Sequence, residues 1–334
     1  MNPSFQKHHL QGLNMNLKTT QFFLTAVLLL VLTAVSFSGC LDLGELGHDH
    51  DNEDDHDHGD PNASYDPLDD ESLNQILNGS KIPVAASVVP QTEFIEKVGG
   101  DKVIAFSMIP AGAGHTYDPS PRQLEDLSKA DIYVQLGSGE PFETNHMNTF
   151  TELNPNMTVI NSSENLTLIQ NGNSTDPHIW TSPKCAVIMV ENIYQGLAES
   201  DPKNASYYRE NADAYIIELQ ELDAELEAEL SDLKTRNFMT YHPAWGYFAR
   251  DYNLTQISVE VDGKEPAPKD IVNFIQIAQE NNISVIFVQE QVSVTGATAI
   301  AQGFGGEVFI IDPLAKNYVE NTREVGWILA EELR

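Results

Sequence analysis

Cysteine is nearly absent: the chain has 2 in 334 residues. No disulfide framework holds it, so its stability must come from buried cores. Basic side chains are scarce as well, 18 against 50 acidic ones, for a net charge of −32. Binding a phosphate backbone needs clustered Lys and Arg, and no such cluster occurs, which argues against nucleic acid as a partner. The part expected to fold also lacks His-Glu-x-x-His, Gly-x-Ser-x-Gly, a P-loop and the dinucleotide glycine fingerprint. Together these absences speak against the commoner hydrolase, nucleotide-binding and dehydrogenase classes. What is present suits a globular protein: 41% of residues are hydrophobic. The length allows two domains of about 120–150 residues, each with a core of its own. The acidic surplus makes a solvated surface and also attracts cations.

Residues 1–40 read as a targeting segment rather than as part of the fold. From Met15, a possible true start, a short basic stretch leads into the apolar run "QFFLTAVLLLVLTAVSF" and then small residues before Cys40. Ser38-Gly39-Cys40 resembles a lipobox, whose cysteine is lipidated and becomes the mature first residue; Phe37 stands where Leu is usual. The domains are thus expected outside the membrane, tied to it by lipid at Cys40 or by the retained apolar run. Residues 41–80 follow as an Asp-dense tether without apolar periodicity, expected to be disordered. Its His48, His50, His56 and His58 form two His-Asp-His pairs. Neutral imidazole and carboxylate are both ligands for zinc, so accessory metal capture is expected there beside plain solvation.

From residue 82 short apolar runs alternate with helical stretches. "IPVAASVV", "KVIAF", "DIYVQLG" and "MTVIN" read as buried strands, with "QTEFIEKV", "SPRQLEDLSKA" and "HMNTFTELN" as helices between them. This βαβ rhythm predicts a parallel sheet. It recurs after residue 236 in "NFMTY", "LTQISVE", "ISVIFVQ" and "EVFIID". Between the two blocks, Asp201-Pro202 predicts a helix start. Ala212, Tyr215, Leu219, Leu222, Leu226, Leu230 and Leu233 then mark one apolar face. The expected architecture is α/β, with two similar parallel-sheet lobes at 81–200 and 236–334 joined by one long rigid helix at 201–235. Cys185, in "SPKCAVIMVENIY", reads as a small buried hydrophobe.

In parallel α/β sheets, ligands bind outside the carboxyl ends of the strands. His115 in "AGAGHTYDPSP" follows the second strand, His178 in "DPHIW" lies in a loop after the first lobe's last strand, and His242 in "YHPAWGYF" follows the first strand of the second lobe. Asp312 in "FIIDPLA" ends that lobe's last strand. Two candidate ligands from each lobe therefore face an expected cleft. Zinc takes four ligands in a tetrahedron, and three imidazoles with one carboxylate satisfy it completely. Imidazole suits Zn²⁺ better than Mn²⁺, which prefers oxygen. A closed site holds an ion rather than activating water, which separates a carrier from a metallohydrolase; Glu290 in "FVQEQ" is the only candidate general base for the latter.

Residues 82 to about 332 resemble the zinc- and manganese-binding lipoproteins that feed ABC-type uptake transporters, the ZnuA-like group. The resemblance rests on "HTYDPSPRQLEDLSKADIYVQLGSGEPFE", "DPHIWTSP", "YHPAWGYFARDYNL", "GKEPAPKDI", "IFVQEQ" and "VFIIDPLA", in family order. It implies two α/β lobes on a rigid helix, metal ligands at His115, His178, His242 and Asp312, and a permease with its ATPase as partners. Histidine in the third ligand position implies zinc, whereas glutamate there goes with manganese. The expected function is extracytoplasmic capture of Zn²⁺ by a monomer and its delivery to a permease. A manganese or iron carrier is the alternative, and a metal-dependent hydrolase or an adhesin is more distant. Two departures stand out. The His-rich stretch sits in the amino-terminal tether instead of between the first two ligands, where only His146 occurs. Glu290 lies near the family's usual acidic position, as a carboxylate orienting an imidazole from behind or as a competing ligand.

Nine Asn-X-Ser/Thr sequons occur, at Asn62, Asn78, Asn156, Asn161, Asn165, Asn173, Asn204, Asn253 and Asn282. Chance would give roughly three from this composition. Exported proteins use such sites for surface glycans, and Asn- and Ser-rich loops give the same pattern by accident.

Overall fold

Proline and a side chain that caps the helix end open many of the helices, and short β-rich runs sit between them. The computed structural model describes residues 65–115, 117–260, 268–289 and 294–334. Its first half contains α1 (Asp70–Leu77), β1 (Ile82–Ala86), α2 (Val89–Gly99), β2 (Val103–Ser107), α3 (Pro121–Leu127), β3 (Ile132–Gln135), α4 (Pro141–Leu153) and β4 (Thr158–Asn161). A two-stranded hairpin, β5 (Gln170–Asn171) and β6 (Ser174–Thr175), precedes α5 (Pro183–Ser200) and the long α6 (Ala205–Glu229). The second half contains β7 (Asn237–Thr240), α7 (Gly246–Asp251), β8 (Thr255–Ser258), α8 (Pro268–Glu280), β9 (Val285–Val288), α9 (Val294–Phe304), β10 (Glu307–Ile310) and α10 (Tyr318–Leu333). Among the described residues, no helix is long and apolar enough to cross a membrane.

The two four-stranded sheets are parallel throughout, in the orders β2-β1-β3-β4 and β10-β9-β7-β8. Numbered within its own lobe, the second sheet reads 4-3-1-2, the first order in reverse. The lobes thus share one topology, as the repeated βαβ rhythm predicts. Parallel strands flanked by helices are buried on both faces, and β9 is buried along its whole length. Each sheet therefore sends all its carboxyl ends to one side, where the loops collect.

Helix α6 buries Ala212, Tyr215, Leu219, Leu222 and Leu226 of the stripe expected from their three- and four-residue spacing, and Tyr208 one turn earlier as well. Two details differ from expectation. Asp201 does not cap the helix: its carboxylate accepts from Asn204 Nδ2 and Tyr208 Oη, and a 3₁₀ turn over Pro202–Asn204 precedes α6. The helix stops at Glu229, so Leu230 is buried beyond its end and Leu233 packs on the core from the following loop. One hydrophobic core runs from the first sheet through α5 and α6 into Trp245, Phe248, Tyr252 and Tyr318 of the second half. A smaller one fills the space between the second sheet, α8 and α9.

The end of the segment 41–80, expected to be a disordered tether, is folded from residue 65 onward. Asp69 caps α1 by accepting from Ser72 N, Leu68 is buried, and Tyr65 donates to the buried Asp126. Leu73 and Ile76, three apart on α1, pack on the core. The Asp-rich composition hides this small apolar face, which is why residues 65–80 were expected to be disordered. His48, His50, His56, His58, Cys40 and the targeting segment lie outside the described residues, as does Glu290.

Candidate metal centre

Each histidine is delivered by a different local device. His115 sits in the loop after β2, where Ala113 N donates to Pro110 O and Tyr117 N to Gly114 O. The loop is then tied down: Tyr117 Oη donates to Gln123 Oε1, and Gln123 Nε2 donates to Met108 O at 2.6 Å. His178 follows the β5–β6 hairpin and opens a 3₁₀ turn over Ile179–Thr181. His242 comes two residues after β7, and Tyr241 N continues the sheet by donating to Phe287 O.

The three rings form a nearly equilateral triangle, with centroids 5.1, 5.2 and 5.1 Å apart. His242 Nε2 lies 3.2 Å from His115 Nε2 and 3.1 Å from His178 Nε2. Two nitrogens bound to one zinc at 2.0–2.1 Å with a tetrahedral angle would be about 3.3 Å apart. Among the described residues, this is the one group of at least three His, Cys, Asp or Glu side chains whose ligand atoms all lie within 4.8 Å of one another.

Behind each ring stands a carboxylate. His115 Nδ1 is 3.0 Å from both oxygens of Glu140, and His178 Nδ1 is 2.8 Å from Asp176 Oδ1. His242 Nδ1 pairs with Glu260 Oε2. A carboxylate can only accept, so each Nδ1 carries the proton and each Nε2 presents a lone pair. Three acceptors then converge, an arrangement that suits a cation. Carboxylate–histidine pairs of this kind fix ring orientation and raise ligand basicity at metal sites.

The carboxylates are themselves held. Glu140 is 1% exposed and caps the start of α4. Burial pushes its carboxyl up, but the His115 charge and hydrogen bond, with His178 behind, outweigh this and hold it below the ordinary range. Asp176 Oδ1 also accepts from His178 N at 2.9 Å, and Tyr247 Oη donates to Asp176 O at 2.8 Å. Gly246 admits this approach, because a Cβ there would stand 2.4 Å from Asp176 Oδ2. Glu260 N donates to Tyr241 O, which extends the β7–β8 pairing and puts Glu260 beside His242. Burial lowers the His178 pKa, and the neighbouring His242 and His115 add to this against the opposing pull of Asp176.

Of the four expected ligands, the structure brings three histidines together. Asp312 is not part of that close group. Its Oδ1 accepts from Leu314 N at 2.8 Å and its carbonyl from Asn321 Nδ2 at 2.7 Å. It stands two residues past β10, and its loop reaches the centre's neighbourhood: Trp180 Nε1 donates to Pro313 O at 2.7 Å, and the Trp180 ring lies 5.3 Å from that of His178. His146, the lone histidine between the first two expected ligands, instead pairs with Asp118 at 3.3 Å and packs on Phe142. The carboxylates Glu140, Asp176 and Glu260 escaped sequence reasoning. Their signal was available, since Glu140 and Glu260 follow β3 and β8 at the carboxyl ends and Asp176 precedes His178 by two.

Known proteins share this arrangement of lobes. A crystal structure of ZnuA matches with a TM-score of 0.74 at 38% identity, covering 76% of this chain and 100% of that one. The laminin-binding protein of Streptococcus agalactiae, described as bifunctional with adhesin and metal-transporting activity, matches at 0.69 and 27% identity over 76% of this chain and 100% of that one. In sequence, the zinc-binding protein AdcA of Streptococcus pyogenes serotype M1 is 28% identical over 268 residues, 72% of this chain and 52% of its own length. The chain thus spans about half the length of the AdcA proteins it matches. The high-affinity zinc uptake system protein ZnuA of Bacillus subtilis is 27% identical over 255 residues, 71% of this chain and 79% of its own. Residues 84–330 match the family described as zinc-uptake complex component A, periplasmic, and the chain belongs to that family.

Proposed function

We propose that this chain captures Zn²⁺ at the Nε2 atoms of His115, His178 and His242, with Asp312 as fourth ligand, and passes it to the permease of an ABC transporter. The observation that carries the reading is the convergence of three carboxylate-backed imidazoles at the spacing a tetrahedral zinc requires. Asp312 supplies the remaining position from the loop that Trp180 ties to the His178 turn. In this reading the lobes 81–200 and 236–334 contribute two ligands each, and the segment 201–235 holds them together. The protein works on the extracytoplasmic face, anchored through Cys40. The tether histidines His48, His50, His56 and His58 collect metal nearby.

Three imidazoles favour Zn²⁺ over Mn²⁺ or Fe²⁺, which take more oxygen. A site filled by four protein ligands leaves no place for an activated water, which supports a carrier over a hydrolase. The test is competitive titration against a chromophoric chelator with His115→Ala, His178→Ala and His242→Ala. Each is expected to weaken zinc binding severely. Wild-type affinity in all three would overturn the assignment, and tighter binding of Mn²⁺ in direct competition would overturn the metal.

A further inference from the structure

The sequons remain unexplained by metal capture. Eight of the nine lie among the described residues, seven of them exposed and Asn204 half-buried. Asparagines outside sequons are used by the fold: Asn154, Asn192, Asn211 and Asn321 each donate Nδ2 to a backbone carbonyl. Among the described sequons only Asn204 commits its Nδ2, to Asp201 Oδ2 at 2.7 Å. Asn78 and Asn161 turn their carbonyl oxygens back to the chain, accepting from Ser80 N and Ser163 N, and keep Nδ2 out of the fold. The described non-glycine residues with positive φ are Asn165, Asn253 and Asn282, all three in sequons. Turn chemistry explains asparagine in the left-handed region. It does not explain a hydroxyl residue two positions later each time.

Placement divides the set. Asn78 ends α1 just before β1, and Asn156, Asn253 and Asn282 stand just before β4, β8 and β9. In parallel sheets these are the amino ends, and the histidine cluster is at the carboxyl ends. Asn161 is the last residue of β4, and Asn165 and Asn173 lie past its carboxyl end on the segment leading to Asp176 and His178.

We propose that the amino-end surfaces of both lobes are N-glycosylated, at Asn78, Asn156, Asn253 and Asn282, which leaves the approach to the histidine cluster clear. The donor is a polyprenyl-phosphate-linked oligosaccharide in the membrane that the protein crosses on export. Nδ2 bonds to C1 of the first sugar, the C1–O bond to phosphate breaks, the lipid phosphate leaves with the electron pair, and Nδ2 gives up one proton. The modification depends on extracytoplasmic location and not on the identity of the metal.

The experiment is peptide mass spectrometry of the protein purified from its native cells, compared with the same chain made in a bacterial host without the transferase. The peptides holding Asn78, Asn156, Asn253 and Asn282 are expected to be heavier by a common sugar mass only in the native protein. The variant N78Q/N156Q/N253Q/N282Q should lose that mass and keep its zinc affinity. Bare masses at all four sites in native protein would overturn the proposal. Sugar confined to Asn161, Asn165 and Asn173 would overturn it equally.

Discussion

Glu140→Gln isolates what a charge behind the His115 imidazole contributes to metal binding. The substitution keeps the side chain's shape in a site that is 1% exposed, where both oxygens stand 3.0 Å from His115 Nδ1. As a carboxylate, Glu140 only accepts, which forces the imidazole proton to Nδ1 and leaves the Nε2 lone pair for a metal. The amide offers one acceptor and one donor. With its oxygen turned to the ring the hydrogen bond survives without the charge; with its nitrogen turned there, the proton moves to Nε2 and the ligand is lost. Removing outer partners of this kind costs about 10–100-fold in metal affinity, or roughly 1.4–2.7 kcal/mol. The assay is chelator competition at fixed pH and ionic strength, with apo melting as a check on folding. In His115→Ala the carboxylate has no ring to orient, so adding Glu140→Gln should cost little more. Affinity within about twofold of wild type in Glu140→Gln, or full additivity in the double variant, would refute the reasoning.

An imidazole that would hold zinc at His178 also takes up protons. Burial lowers its folded pKa below the ordinary 6.5, so between those two values the unfolded chain binds more protons. Apo stability should therefore fall as pH drops below that value, with the slope absent in His178→Ala. Glu143 acts in the opposite direction. It is buried under Ser87 Oγ, Leu136 N and Gly137 N, and burial outweighs these hydrogen bonds to push its pKa up to about 7 from 4.5. Its stabilising contribution is complete below the unfolded value and is lost as pH rises through about 7, about 3 kcal/mol in all. In Glu143→Gln, melting curves at pH 5 and pH 8 should lose that part of the difference. Zinc at about 1,000 times its dissociation constant should stabilise the fold by about 4 kcal/mol, with a smaller shift for Mn²⁺ at equal concentration. A larger shift with Mn²⁺ would contradict the three-imidazole argument.

The lobes and the histidines were legible because their signals are periodic or chemically distinctive. Runs such as "ISVIFV" are too apolar for anything but a strand buried on both faces, and β9 bears this out. Loop histidines just past predicted strands pick themselves out once the sheets are known to be parallel. Glu140, Asp176 and Glu260 were not legible in the same way. In a chain with 50 acidic residues, a carboxylate that backs an imidazole looks like one that faces water, and only the fold separates them. Helix α1 was hidden for the same reason, its apolar residues diluted by Asp and Glu. The β5–β6 hairpin pairs only two residues per strand, too few for an alternation pattern to show.

How the lobes are joined bears on how an ion could leave. Tyr318 N donates to Glu93 Oε2 at 2.7 Å, and Tyr215 Oη reaches the same carboxylate at 2.9 Å. These bonds tie α10 to α2 across α6. On the other side, Tyr247 Oη holds Asp176 O, and Ser182 Oγ bonds to Asp251. All of these contacts border the continuous core that includes Phe248 and Tyr252. Opening the lobes would expose that core, at about 25 cal/mol for each Å² of apolar surface. Moving a single loop exposes far less. Of the three clustered histidine side chains, His115 is the most open at 25%, against 14% for His242 and 6% for His178. His178, by contrast, is locked by Asp176 and packed on Trp180. The most solvent-open of the three imidazoles is therefore the one whose proton Glu140 fixes.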